Sequence, residues 1–134
     1  MSRAVLVDTS VFAYALGGDH PLREPCRAFL RDARTTGLEL HASVEMVQEL
    51  TFHRMRKTDS ATAVDQGRLA GRSCVLHAFD ERVLDAALGM IRDGTVRGRD
   101  AVHAATATLA GIGTIVSTDP AFDAVLQRLD PAAF

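Results

Sequence analysis

Residues 4–8 read AVLVD, four apolar side chains closed by an acid, and the chain continues as TSVF through residue 12. Such an unbroken apolar run is the pattern of a strand buried on both faces, as in parallel sheets covered by helices on either side. Thr9 opens a short helix that Gly17-Gly18 stops. Residues 21–36 predict a second helix, because Leu22, Cys26, Phe29, Leu30 and Ala33 recur at helical spacing before Gly37. A strand over 38–42 follows, and Ser43 caps a helix reaching about Lys57. Residues 60–72 form another helix and 74–79 a third strand. Asp80 then caps a helix with Val83, Leu84, Ala87, Leu88 and Ile91 on its inner side. After a loop over 94–99, AVHAATATLA (101–110) is nearly all small or apolar, which describes a helix buried almost all round. Residues 113–117 give a fourth strand and 120–129 a final helix. Strands separated by helices imply crossover connections. The expected architecture is a three-layer α/β/α domain with a mainly parallel sheet, one domain over residues 1–134.

The composition narrows the function classes. At 134 residues with a net charge of −2, the chain is no bulk polyanion binder, so any nucleic-acid affinity must come from a local patch. Cys26 and Cys74 lie far apart with no CxxC or Cys/His spacing, which indicates neither a zinc site nor a disulfide framework. The apolar run near the N-terminus is too short for a signal peptide, and no stretch approaches the roughly 18 apolar residues of a membrane helix. The expectation is a soluble, cytoplasmic protein with no membrane partner.

In parallel sheets of this kind ligands sit beyond the carboxyl ends of the strands, near the point where strand order switches. Asp8 closes the first strand, Asp119 follows the fourth, Asp100 opens the buried helix, and Glu49 lies midway along the helix after the second strand. Each has an ordinary structural explanation: the three Asp stand where helix N-caps stand, and Glu49 fits a solvated helix face. Together they imply more. Carboxylates gathered in one cleft raise one another's pKa, and a divalent cation removes that cost. Mg2+ and Mn2+ prefer carboxylate oxygen and water, whereas softer metals call for His or Cys. Such an ion polarises a phosphoryl oxygen and lowers the pKa of water for attack on a phosphodiester. No convincing Ser/His/Asp or Cys/His arrangement competes. Glu45 and Glu49 share a helix face, so either reaches the site.

The segments VLVDTSVF, SVEMVQEL, GRDAVHAATA and IVSTDPAFD resemble, in order and spacing, the four acidic motifs of PIN domains, most closely those of VapC toxins from VapBC toxin–antitoxin systems. The resemblance spans nearly the whole chain. It implies that Asp8, Glu49, Asp100 and Asp119 are the catalytic acids, with Asp8, Asp100, Asp119 and the auxiliary Asp123 holding Mg2+ or Mn2+. Its Ser…Glu spacing from Ser43 selects Glu49 and leaves Glu45 in reserve. Ser117 matches the Ser/Thr two residues before the fourth acid and orients that acid or the water. Thr9 and Ser10 fill small polar positions after the first acid or cap the first helix. The implied activity is endonucleolytic cleavage of RNA. The implied partners are a VapB-like antitoxin and a second copy of the chain in a homodimer.

Arg97 and Arg99 directly precede Asp100 and either steer a phosphate toward the metal or balance local charge. Arg23, Arg27, Arg31 and Arg34 form one helical stripe that suits a phosphate backbone or a solvated face equally. With one Tyr and no Trp, extensive base stacking is not expected. His103 reads as a hydrogen-bonded packing residue, and His53 either touches substrate or is an exposed polar residue. Val11, Phe12, Tyr14, Leu16, Phe52 and Met55 are the apolar residues available to a partner.

A haloacid-dehalogenase-like phosphatase also starts with an acid after its first strand, but needs a second Asp where Ser10 stands and a Lys that the lone Lys57 is poorly placed to supply. A response-regulator receiver needs a Lys that is missing here in the same way, and without GxxxxGK no nucleotide-binding loop is indicated. A PIN-like fold that binds RNA or protein without cutting is the rival from another class. DNA cleavage and exonuclease action are open to the same metal chemistry.

Overall fold

The computed structural model describes residues 3–134, and Met1 and Ser2, with which the N-terminal reading begins, lie outside the described residues. The elements in chain order are β1 (Arg3–Val7), α1 (Thr9–Leu16), α2 (Arg23–Asp32), β2 (Leu38–Ser43), α3 (Val44–Met55) and α4 (Ser60–Arg72). There follow β3 (Val75–His77), α5 (Glu81–Arg92), α6 (Asp100–Leu109), β4 (Thr114–Val116), a 3-10 turn (Pro120–Ala124) and β5 (Gln127–Leu129). The strands form one sheet in the order β3-β2-β1-β4-β5, and each of its four pairings is parallel.

β1 is the central strand, which explains its apolar run. Val5 and Val7 face a core with Phe12, Phe29, Met46 and Leu50 from the helices on one side of the sheet. Leu6 faces the other core, with Val83, Ala87, Ala104 and Phe122. Alternate residues of a strand point to opposite faces, so this one segment anchors both outer layers. Burying each such Val or Leu stabilises the fold by about 1.5–3 kcal/mol. Before β2 the chain reverses at Gly37, whose φ of 75° lies in the left-handed region that a Cβ disfavours.

Side chains cap three of the helix starts, Ser43 and Asp80 as expected from the sequence and Asp59 in addition. Ser43 accepts from the Glu45 N–H, Asp59 from Thr62 and Asp80 from Val83. α6 is buried as its composition predicts over Ala101, His103, Ala104, Ala105, Thr106 and Ala107, whereas the end of the same stretch, Thr108, Leu109 and Ala110, is exposed. Both cysteines are free thiols.

Two expectations are corrected. Residues 120–129 do not form a helix. The Asp119-Pro120 start winds only a short 3-10 turn, and β4 then captures residues 127–129 as a fifth strand. On α5, Val83 and Ala87 are buried but Leu84, Leu88 and Ile91 are exposed, Leu88 by 55%. The helix packs on small residues of α6 along one narrow row, so its wider apolar face stays uncovered. No helix among the described residues is long and apolar enough to cross a membrane.

Candidate active site

Strand order turns about β1: β2 lies on one side and β4 on the other. Where β1 and β4 end, the chain opens a cleft of about 450 Å3 lined by Asp8, Glu49, Asp100 and Asp119 with Thr9, Ser10 and Tyr14. Four acids from four separate segments therefore share one wall-to-wall site, at the place where this topology puts a ligand.

Asp8 is only 5% exposed and stands at the N-cap position of α1, yet its side chain makes no cap hydrogen bond. Its Oδ2 instead accepts from Ser10 Oγ and from Ser117 Oγ, each at 2.8 Å. The wholly buried Ser117 Oγ also accepts from the Asp119 N–H at 3.0 Å, which links the ends of β1 and β4. Asp119 Oδ1 accepts from the Ala121 N–H (2.9 Å) and caps the 3-10 turn. Asp100 is the first residue of α6. Burial raises its carboxyl pKa to about 6, and the neighbouring charges of Asp8 and Asp119 add to the rise.

His103 lies one turn beyond Asp100 on α6 and is buried beneath the cleft. Its Nε2 is 2.7 Å from Glu49 Oε1 and 3.8 Å from Asp8 Oδ1, while Nδ1 has no hydrogen-bond partner among the described residues. Burial alone lowers an imidazole pKa. Here the hydrogen bond to Glu49 and the charges of Asp8, Glu49 and Asp100 outweigh it and raise the pKa. Thr9 Oγ1 is 3.4 Å from the same Glu49 oxygen.

Other residues singled out in the sequence lie elsewhere. Glu45 does not line the cleft, and its N–H is spent on the Ser43 cap. Asp123 does not reach the site either: a 3-10 turn does not place it one α-helical turn below Asp119, and Arg128 Nε holds its carboxylate at 3.0 Å. Arg97 and Arg99 are exposed and outside the lining. In the arginine stripe, Arg27 Nε donates to Ala15 O of α1 (2.7 Å) and Arg31 Nε to Asp32 Oδ1 (3.2 Å). Ser117 orients Asp8 through its hydroxyl and Asp119 only through the backbone. Of the apolar residues offered to a partner, Val11 and Phe12 are core, whereas Phe52 and Met55 are exposed.

What sequence reasoning missed is the link from His103 to Glu49, 54 positions apart. The one usable signal was helical spacing, which places His103 on the same face as Asp100.

The family profile of the PIN domain matches residues 5–126. The chain belongs to the PIN domain family. Among PIN domains it is similar to Ribonuclease VapC7 of Mycobacterium tuberculosis, with 33% identity over 121 residues, covering 88% of this chain and 83% of that protein. It is also 50% identical over 46 residues to Ribonuclease VapC23 of the same species, a match covering 34% of this chain. In solved structures, M. tuberculosis VapC20, a Sarcin-Ricin loop cleaving toxin, superposes with a TM-score of 0.74 at 17% identity over 90% of this chain and 93% of that one. The VapBC2 complex of Rickettsia felis, bound to a DNA fragment from its promoter, gives 0.71 at 14% identity over 94% and 97%. At such identities the structural likeness speaks for the PIN fold.

Proposed function

We infer that this PIN domain is a Mg2+- or Mn2+-dependent endoribonuclease and the toxin of a toxin–antitoxin pair. The observation that carries this reading is the gathering of Asp8, Glu49, Asp100 and Asp119 around one cleft, with the Asp100 carboxyl raised to about 6 by burial and by its acidic neighbours. Like charges held together in this way have a physical purpose when a cation lies between them.

The donor set suits a hard ion, because the cleft offers carboxylate and hydroxyl oxygen and no thiol. Among the described residues, no group of three or more acidic, histidine or cysteine side chains is drawn together closely enough to hold an ion. Asp8, Asp100 and Asp119 would hold the ion, with Asp8 aimed by Ser10 and Ser117. When bound, the ion supplies Lewis-acid polarisation of the phosphate and a lowered pKa for water.

The chain's own residues supply the rest. Glu49, braced through its Oε1 by His103 Nε2 and Thr9 Oγ1, is the acceptor for the proton of the attacking water. The water oxygen bonds to phosphorus as the bond to the leaving sugar oxygen breaks, and that oxygen takes up a proton from solvent. The VapC names of its relatives support the RNA substrate, and the VapBC complexes among the structural neighbours support a VapB-like antitoxin. The exposed Phe52 and Met55 offer apolar surface to that antitoxin or to a second copy of the chain in a homodimer.

Cleavage of a single-stranded RNA by purified protein, freed of any bound antitoxin, tests the function. Cutting in Mg2+ or Mn2+ that stops with EDTA and is lost in Asp8→Asn is expected. Cutting that survives Asp8→Asn, or no cutting with metal, would overturn it; the second result would favour the non-cleaving RNA or protein binder.

A further inference from the structure

A second cavity adjoins the acidic cleft, and the two share Ser10 and Tyr14 as lining residues. It measures about 640 Å3 and lies between the end of α1 with the Gly17–His20 loop and the last turn of α3, reaching Lys57. Its chemistry is the opposite of the cleft's. The acids of the first cavity give way to the cations Arg54 and Lys57 and the imidazoles of His53 and His20, with Asp19 as the counter-charge.

The cavity is built and held. Arg54 is buried and its Nε donates to Gln66 Oε1 at 2.9 Å, so the guanidinium has a fixed seat. The His20 ring is fixed twice: its Nδ1 accepts from the Leu22 N–H (3.1 Å), and it packs against Tyr14 with ring centroids 4.6 Å apart. His53 keeps a buried Nδ1 with no hydrogen-bond partner among the described residues. Gly18 leaves its side open, since a Cβ built there meets nothing within 4 Å. The sole Tyr and the sole Lys of the chain thus stand in one pocket beside the acids.

We propose that this pocket seats the nucleotide next to the scissile phosphodiester, its base against the Tyr14–His20 pair and its phosphate at Lys57 and Arg54. The proposal rests on the ribonuclease reading and adds to it the subsite that orients the strand. An acidic cleft by itself repels RNA. A cationic pocket sharing its wall supplies the missing phosphate contacts and sets the direction in which the strand crosses the acids. Base–aromatic stacking tolerates every base, so this subsite supplies affinity and position rather than a sequence code.

The test is binding of a fluorescein-labelled single-stranded RNA of mixed sequence, read by anisotropy in EDTA over a range of salt, so that cleavage does not enter. Lys57→Ala is expected to weaken binding and to reduce the slope of log Kd against log salt by about 0.7, the share of one single-strand phosphate. Lys57→Arg is expected to restore both. Gly18→Leu, which fills the pocket without altering charge, is expected to weaken binding at every salt with the slope kept. Arg72→Ala, in a separate cavity at the amino ends of β2 and β3, is the control. If Lys57→Ala and Gly18→Leu both match Arg72→Ala, the proposal is overturned and the pocket belongs to a protein partner instead. Wild-type protein that binds RNA through this pocket yet never cuts it with metal would sink the nuclease reading alone.

Discussion

Ser117 shows how much of the site depends on one hydroxyl. It is completely buried, donates to Asp8 and accepts from the backbone of Asp119, so it holds the ends of two strands in register with their acids. Ser117→Ala should destabilise the protein by about 1–3 kcal/mol in urea unfolding, the cost of a lost buried hydrogen bond to a charged group. It should also slow RNA cleavage. An unchanged midpoint would mean that Ser10 alone suffices to hold Asp8. Asp100 gives a second prediction. Its folded pKa of about 6 lies above the ordinary 3.8, so between those values the folded state keeps a proton that the unfolded chain has released. Without metal, this group therefore makes stability fall as pH rises through that window. The raised His103 pKa acts in the same direction at higher pH. On the proposed function Mg2+ would replace the lost proton, so its stabilising shift in Tm should be larger at pH 7 than at pH 5. Equal shifts at both would contradict the acid cluster as the binding site. At this scale the sequence was uneven. Asp8 and Asp119 are legible because a strand end fixes where its next residue lies. Glu49 was separable from Glu45 only through the family resemblance, since both point along one helix face. Arg97 and Arg99 precede Asp100 in sequence but are exposed and outside the cleft lining, so sequence adjacency alone does not bring them into it.

Among the elements, α3 and α4 pack closely because Gly67 has no side chain. A Cβ there would collide with Thr51 Oγ1, which is already committed to the Val47 carbonyl at 2.8 Å. Two effects oppose each other in Gly67→Ala. Helix propensity favours Ala by about 1 kcal/mol, while overpacking beside a stiff β-branched residue costs about 1–3 kcal/mol. The collision should win, so the variant should melt below wild type by differential scanning calorimetry; a higher Tm would show that the helices separate freely. The segment after Asp119 shows why element type was misread. Asp-Pro is the same start signal for a 3-10 turn and an α-helix. What decided the outcome was the open edge of β4, which pairs with residues 127–129, and no local pattern reports that. The α5 face was misread for a related reason: periodicity tells which residues share a side but not how wide a neighbour covers them.

For the molecule as a whole, the alternation of apolar runs with helical patterns was enough to infer parallel strands and two covering layers. The order β3-β2-β1-β4-β5 was not legible, yet it is what puts Asp8 and Asp119 on adjacent strands. Crossovers then deliver Asp100 and Glu49 from helices on opposite faces of the sheet to the same end. The architecture thus separates six candidate carboxylates into four that line the cleft and two, Glu45 and Asp123, that do not. Single-turnover RNA cleavage in Mg2+ by the six single variants measures that division directly. Asp8→Asn, Glu49→Gln, Asp100→Asn and Asp119→Asn should each lose about 100-fold or more in rate, the scale of removing a preorganised charged group from such a site. Glu45→Gln and Asp123→Asn should cut close to the wild-type rate. If Asp123→Asn fell as far as the four, or if any of the four kept the wild-type rate, the site described here would be the wrong one.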